Sequence, residues 1–351
     1  MMPLAEVGRR EGLFDWAAVL AVNHARGSPQ RLFLLIYAVG TLVTVFLSND
    51  APAVVLTPAV FAAARRAQMR ALPLLLVCAF TANAASFVLP ISNPANIVLY
   101  GNHVPALGTW LARFTIPAAT AVIATFVLLR WTQRQALPAS CQAHIPLQPL
   151  GRNGKLALAA IGATPAILLV VSAFDIPLGL RTAITGIATV ATVQAMRRDS
   201  PWPLLREVQW GILPLVGALF VLVATLDHSG VTGQLARELH ALADHSETAA
   251  AIVSGTLIGF ASNLVNNLPA GLIASSTVAL AQAPHRVTDA LLIGVDVGPN
   301  LSITGSLATI LWLNAIRREG EDVGFWTFFK VGVVVMPITL LLAIVARILA
   351  G

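Results

Sequence analysis

Charge is scarce in this sequence: 11% of its 351 residues are Asp, Glu, Lys or Arg, against roughly 25% in an average soluble domain. That scarcity excludes an ordinary cytosolic enzyme. Cysteine is nearly absent too, with Cys78 in an apolar run and Cys141 in a linker, which argues against a disulfide framework or a thiolate metal cluster. The start of the chain lacks a hydrophobic stretch: Met1 to Gly12 carry Glu6, Arg9, Arg10 and Glu11. No cleavable signal peptide is expected, and insertion is expected to begin from an internal segment.

Apolar residues make up 57% of the chain. Leu156 to Phe174 and Val208 to Leu226 each run 19 residues without a charge, and spans of roughly 17–25 apolar residues read as transmembrane helices. The fold class is therefore an all-α polytopic membrane protein. Two uncharged stretches are interrupted in the middle. Leu32 to Ala64 holds only Asp50, and the break Ser48-Asn49-Asp50 divides it into legs of 17 residues and, from Pro52, 13 residues. At 1.5 Å per residue these reach roughly 25 and 20 Å, short of a hydrocarbon core of about 30 Å. Thr248 to Pro284 repeats the pattern around Asn266-Asn267-Leu268-Pro269. Both read as re-entrant hairpins, since irregular backbone at membrane depth is tolerated where it lines a cavity.

The halves overlay as an internal repeat. Gly12 matches Gly230 at an offset of 218, Asn49 to Ala53 match Asn266 to Ala270 at 217, and Asn83, Asn93, Ala95, Asn96 and Ile97 fall opposite Asp296, Ser306, Ala308, Thr309 and Ile310 at 213. Counting crossings then sets the topology. A first hairpin entering from the cytoplasm, a crossing through Ala71 to Tyr100 and a return through Phe114 to Leu129 leave the linker inside. Three more spans, near 156–174, 181–196 and 210–226, bring the second hairpin in from outside, so the repeats are inverted. This puts 17 of the 22 basic residues on the cytoplasmic side and leaves Arg113, Arg181, Arg237, Arg286 and Arg347 outside, as the positive-inside rule requires. The formal charge of +6 needs no polyanionic partner, and no nucleic acid is expected. Trp110, Trp131, Trp202, Trp210, Trp312 and Trp326 fall near segment ends, as an interfacial aromatic belt would. The expected domains are a first, incomplete repeat over 1–130, a cytoplasmic linker over 131–155 and a second repeat over 156–351. Only eleven residues precede Gly12, so the first repeat is expected either to be shortened at its N-terminus or to lack helices that a longer chain would carry.

Ionisable groups at membrane depth are costly and are functional candidates by default. Of the 16 acids only Asp50 and Asp296 fall inside uncharged stretches, and no Lys, Arg or His does so. Their repeat counterparts are Asn267 and Asn83, so each half contributes one carboxylate. Without a nearby cation such a group disfavours its charged form, which suits a proton carrier; a Na⁺ or a polar substrate would instead hold it ionised. A structural role, as helix cap or interhelical contact, is the alternative for each. Around them Ser92-Asn93-Pro94, Gly298-Pro299-Asn300 and Thr304-Gly305-Ser306 break helices at matching depth, as do the two hairpin tips. Four helix N-termini, with freed N–H groups and unwound carbonyls, are available to a ligand. The candidate binding and coupling residues are Ser48, Asn49, Asp50, Asn83, Ser92, Asn93, Asn96, Asn266, Asn267, Asp296, Asn300, Thr304 and Ser306. No metal site is expected, and no cofactor beyond a proton or Na⁺ as coupling ion.

These residues resemble a known family. Ser48-Asn49-Asp50 followed by Val54 to Pro58, Pro90 to Asn96, Asn266 to Pro269, and above all Gly294-Val295-Asp296-Val297-Gly298-Pro299-Asn300 through Thr304 to Thr309 look like the arsenite-efflux permeases of the ion transporter superfamily. The resemblance runs from Gly12 onward. It implies a multi-pass bacterial inner-membrane carrier, not an enzyme, that expels arsenite or antimonite against proton entry. The partners it implies are a small inorganic substrate, the lipid bilayer, a second copy of the chain in a homodimer, and a cytoplasmic arsenical ATPase. Relatives that move Na⁺ or carboxylates keep Na⁺/H⁺ antiport and Na⁺-coupled carboxylate or inorganic anion transport as alternatives. A truncated, non-transporting membrane subunit is a further alternative of a different class.

Overall fold

The structure, a computed structural model, describes residues 2–172 and 212–351, and every regular element among them is helical. The span expected over 181–196 lies outside the described residues. The first half contains α1 (Met2–Arg10), α2 (Leu13–Ala25), α3 (Pro29–Leu47), a π-helical turn (Pro52–Leu56), α4 (Thr57–Arg66), α5 (Leu72–Ala84), a 3₁₀ turn (Pro90–Ser92), α6 (Pro94–Tyr100) and α7 (Leu107–Gln133). After the linker come α8 (Arg152–Ser172), α9 (Ile212–His228), α10 (Val231–His245), α11 (Glu247–Val265), α12 (Asn267–Ala281), α13 (His285–Val297), 3₁₀ turns at Gly298–Leu301 and Ile303–Gly305, α14 (Leu307–Arg318) and α15 (Phe325–Leu349).

The repeat seen in the sequence is present in the backbone. Gly12 and Gly230 precede α2 and α10 in the same left-handed conformation, φ 68° and 83°, which glycine adopts without a Cβ penalty. The Ser28 hydroxyl accepts from Arg31 N–H and the Ser246 hydroxyl from Ala249 N–H, so both hairpins begin with an equivalent N-cap. Both first legs, α3 and α11, are 19 residues long, and α5 and α13 are both 13. Pro117 and Pro337 interrupt the long helices α7 and α15, where a missing N–H and ring clash bend a helix. Four helices among the described residues, α3, α7, α11 and α15, are long and apolar enough to cross a membrane. The first leg exceeds the 17 residues counted from the charges because the Ser28 cap starts it before Leu32.

The described residues divide into two compact units. Unit 1 takes in residues 2–82, 126–172 and 311–323; unit 2 takes in 83–125, 212–310 and 324–351. Within unit 1 the linker is strapped down rather than free. Asn23 Nδ2 donates to Ile145 O at 3.0 Å and its Oδ1 accepts from Ile145 N at 2.8 Å, while Cys141 N–H reaches Gly27 O and Gln142 N–H reaches Ala67 O, each at 3.1 Å. Unit 2 packs α11 against α13 by direct backbone approach. A Cβ on Gly255 would meet the Ala290 carbonyl oxygen at 2.7 Å, and one on Gly298 would meet the Gly259 backbone. Small residues four apart on both helices permit this, as they do in membrane helix pairs.

One expectation fails. Trp110 and Trp312 do not belong to an interfacial belt: both are fully buried and donate their indole N–H to Phe87 O at 3.1 Å and Leu75 O at 2.8 Å. A buried indole needs such a partner; Phe87 O, just beyond the end of α5, and Leu75 O, within α5, supply it. Trp131 and Trp326 are exposed and fit the belt, while Trp202 and Trp210 lie outside the described residues. Arg347, placed outside by the crossing count, is 3% exposed and pairs with Asp289 rather than with Asp50 or Asp296.

Re-entrance of the first hairpin predicts that its ends share one face of the membrane. Cysteines at the exposed positions Gln30 and Arg65 should both react with an impermeant maleimide added to one side of sealed vesicles. Reaction from opposite sides would make α3 and α4 two separate crossings.

Candidate functional site

The hairpin tips carry strained backbone at equivalent positions. Ser48 has φ 121° and ψ 158°, and Asn266 has φ 75° and ψ 154°, a region populated almost only by glycine and costing a side-chain-bearing residue roughly 1–3 kcal/mol. The two positions differ by the repeat offset of 218. Each tip residue then caps the leg that follows: Ser48 Oγ accepts from Asp50 N–H and Asn266 Oδ1 from Leu268 N–H, both at 3.4 Å. In unit 1, Asn49 is buried with its Oδ1 unpaired, and Asp50 is half-buried. The leg begins as a π turn, with Thr57 N–H and Oγ1 both directed to Pro52 O. Pro58 has no N–H for the Val54 carbonyl, and single π turns are frequent at functional sites. In unit 2, Asn267 is buried and Asn266 Nδ2 donates to Thr304 O at 3.2 Å.

The broken helices meet within unit 2. Asn93, the N-cap of α6, accepts from Ala95 N–H at 3.0 Å while its Nδ2 donates to Asp296 Oδ1 at 2.7 Å. Asn83, the counterpart of Asp296, donates to Asn300 Oδ1 at 3.0 Å and Thr309 Oγ1 at 3.3 Å. Ser306, the counterpart of Asn93, accepts from Thr309 N–H at 3.1 Å and caps α14. Each half thus reaches into the break of the other. Asn96 Nδ2 donates to the carbonyls of Ser86 at 2.9 Å and Leu89 at 3.3 Å, and Ser92 Oγ accepts from Leu89 N–H. Asn83, Ser92, Asn96, Asp296, Asn300 and Ser306 are fully buried, with Asn93 at 2%. Thr304 is exposed, and its hydroxyl donates to Asn263 O at 3.0 Å. The predicted residues therefore divide between Ser48, Asn49 and Asp50 in unit 1 and the remaining ten in unit 2.

Three buried oxygens at the crossed breaks have no hydrogen-bond partner: Asn83 Oδ1, Asn96 Oδ1 and Asp296 Oδ2. Asn96 has a fixed orientation, because both its Nδ2 partners are carbonyls that can only accept. Each unpaired buried acceptor costs roughly 1–3 kcal/mol, so a ligand that brings donors or positive charge recovers that cost. No group of three or more His, Cys, Asp or Glu able to hold a metal ion occurs among the described residues. A cavity of about 680 Å³ in unit 1 lies elsewhere, between α2, α4 and the linker, and is lined by Glu11, Asp15, Trp16, Arg66 and residues 145–151. None of the predicted site residues lines it.

Two buried polar centres escaped the sequence reading. Asn263, in the first leg of the second hairpin, donates to Gly298 O at 2.9 Å and accepts from Ser302 N–H at 3.0 Å and Ser302 Oγ at 2.9 Å. It clasps the hairpin to the break of the second broken helix. Its repeat counterpart at the 218 offset is Val45, so the symmetry gave no signal. Asp289 is fully buried; it stands three residues after Arg286 and so reads in sequence as part of a charged helix end. Its place seven residues before Asp296, on the same helix face, was the available clue.

A family model described as citrate transporter matches residues 1–298. The arsenical pump membrane protein of Escherichia coli is 30% identical over 337 residues, covering 92% of this chain and 78% of that protein. The protein of the same description from Yersinia enterocolitica is 29% identical with the same coverage. An uncharacterized transporter of Mycobacterium bovis is 25% identical, covering 98% of this chain and 82% of that protein. Among solved structures, the YdaH transporter of Alcanivorax borkumensis, described as having an unusual topology, is similar in fold with a TM-score of 0.61 at 16% identity, over 100% of this chain and 83% of that one.

Removing the Asn263 amide strands the Ser302 N–H and the Gly298 carbonyl together. Asn263→Ala should lower unfolding stability in detergent by about 2–4 kcal/mol, read by denaturant titration. Ser254→Ala deletes a hydroxyl that bonds only its own helix, at Ala250 O, and should stay within about 0.5 kcal/mol. Equal effects would show that the clasp carries no special weight.

Proposed function

As the chain belongs to the citrate-transporter family, with arsenical pump membrane proteins among its relatives, we propose that this multi-pass membrane transporter exports arsenite or antimonite in exchange for protons. The observation that carries the reading is the acceptor-only character of the unpaired groups at the crossed breaks, Asn83 Oδ1, Asn96 Oδ1 and Asp296 Oδ2. Arsenite at neutral pH is an uncharged trihydroxide, and its three O–H groups match acceptors without needing a counter-charge. A multiply charged carboxylate would bring acceptors to acceptors. The buried cation among the described residues, Arg347, is itself paired with Asp289. Both free cysteines, Cys78 and Cys141, belong to unit 1.

Asp296 is the proposed coupling group of unit 2. It is fully buried, and its hydrogen-bonding partner is the neutral Asn93 amide, at 2.7 Å; burying a carboxylate charge without a paired cation is costly. Asp50 is the proposed counterpart in unit 1. The same oxygens would also accept Na⁺, which makes Na⁺/H⁺ exchange the second reading. The wider proposal takes residues 1–130 and 156–351 as the two transport repeats, the bacterial inner membrane as the location, and a homodimer and a cytoplasmic ATPase as partners. It assigns the chain no catalytic chemistry.

Everted vesicles under an imposed pH gradient separate these readings. Wild-type protein should accumulate arsenite faster with the gradient than without it, and should leave Na⁺ and citrate at background. Asp296→Asn, which copies Asn83, should still exchange arsenite but lose acceleration by the gradient; Asp50→Asn, which copies Asn267, should weaken it. Gradient-driven Na⁺ or citrate movement would replace the proposed substrate, and wild-type coupling in both variants would make the aspartates caps rather than carriers.

A further inference from the structure

Asp289 stands at the centre of a buried cluster drawn from four helices of unit 2. Arg347, in the last turn of α15, places Nε and Nη2 each 2.7 Å from Asp289 Oδ2. Tyr100, the last residue of α6, donates its hydroxyl to Oδ1. Arg113 of α7 brings Nη1 to 3.7 Å of the same oxygen. The Tyr100 ring is held edge-on by Trp110, with centroids 5.6 Å apart, and Trp110 is anchored to Phe87 O. A buried ion pair of this kind is weak evidence for stability, because desolvation offsets the attraction, and its best-attested use is to fix register.

The register here is specific. Asn93 bonds to Asp296 and Tyr100 bonds to Asp289, so going seven residues up α6 corresponds to going seven residues down α13. The two segments run antiparallel and are joined by two rungs, about 10 Å or two helical turns apart. One rung holds the proposed coupling carboxylate; the other is fastened by Arg347 and Arg113. If the outer rung slides, α13 turns or shifts and carries Asp296 away from the Asn93 amide.

We propose that Tyr100, Asp289 and Arg347 are positioning residues for the transport site: the outer rung sets the register of α13 against α6 and thereby the hydrogen bonding of the Asp296 carboxyl. This rests on the reading of Asp296 as the coupling group, but its first test needs no substrate. The infrared carboxyl stretch of Asp296 can be assigned as the band lost in Asp296→Asn, and it reports the hydrogen bonding at that group directly. In purified full-length protein, Tyr100→Phe removes only the phenolic donor, and Asp289→Asn keeps an acceptor for Tyr100 but loses the ion pair. Both should move the band. Thr125→Val deletes another buried hydrogen bond of the same unit, to Thr339, and should leave it in place even where it lowers the melting temperature equally. A second arm reads arsenite flux per folded carrier. Tyr100→Phe should cut the maximal gradient-driven rate roughly tenfold while changing the half-saturating concentration less than about twofold. A band unmoved in Tyr100→Phe and Asp289→Asn, with melting lowered as in Thr125→Val, would make the cluster a structural ion pair only and overturn the proposal. Absence of arsenite transport in the wild type would overturn the assigned substrate and leave the positioning role standing on the band shift.

Discussion

A helix broken inside a bilayer frees backbone N–H and C=O groups that lipid cannot satisfy, and most of this structure is a response to that constraint. Two broken helices and two hairpin tips leave such groups at four places. Short polar side chains answer each of them. Asn93 and Ser306 cap the second halves of the broken helices, Asn96 covers two carbonyls of the 86–89 loop, and Asn263 and Asn266 cover the 298–304 segment. The glycines at 255, 259, 294 and 298 let α11 come close enough for the Asn263 amide to reach across. Ser48 and Asn266 accept backbone strain so that the chain can reverse direction and present those caps.

Satisfying the breaks leaves a residue of unsatisfied atoms, and function enters there. An asparagine amide that donates with Nδ2 points its Oδ1 the other way, so donors spent on backbone carbonyls or neighbouring side chains strand acceptors in the interior. Asn83 and Asn96 show this, and Asp296 contributes a third oxygen. The site proposed for a trihydroxide is thus the reverse side of the scaffold that makes the breaks tolerable. The outer rung of Tyr100, Asp289 and Arg347 keeps that scaffold in register from one end.

Much of this was legible in the sequence because repeats and breaks have compositional signatures. The offset of 218 between Gly12 and Gly230 survives as matched left-handed backbone, and the Ser28 and Ser246 caps share the same offset. The proline-marked breaks, Asn93-Pro94 in one half and Gly298-Pro299 ahead of the Ser306 cap in the other, appear where the pattern put them. What the sequence hid is polar chemistry without a counterpart in the other half. Asn263 sits opposite Val45, and Asp289 is legible only through partners at positions 100, 113 and 347, far away in the chain. Trp110 and Trp312 misled because nearness to a segment end is the same in sequence for an interfacial ring and for one that donates to a carbonyl in the interior.

The crossed breaks of unit 2 are the proposed seat of the substrate. Backbone hydrogen exchange of the detergent-solubilised protein, with and without arsenite, tests it most directly, because a ligand bound by buried acceptors at a helix break suppresses local opening there. Arsenite should slow exchange over residues 83–96 and 296–309. Exchange unchanged in both segments, or slowed only around the unit 1 cavity at residues 11–19 and 142–151, would contradict it.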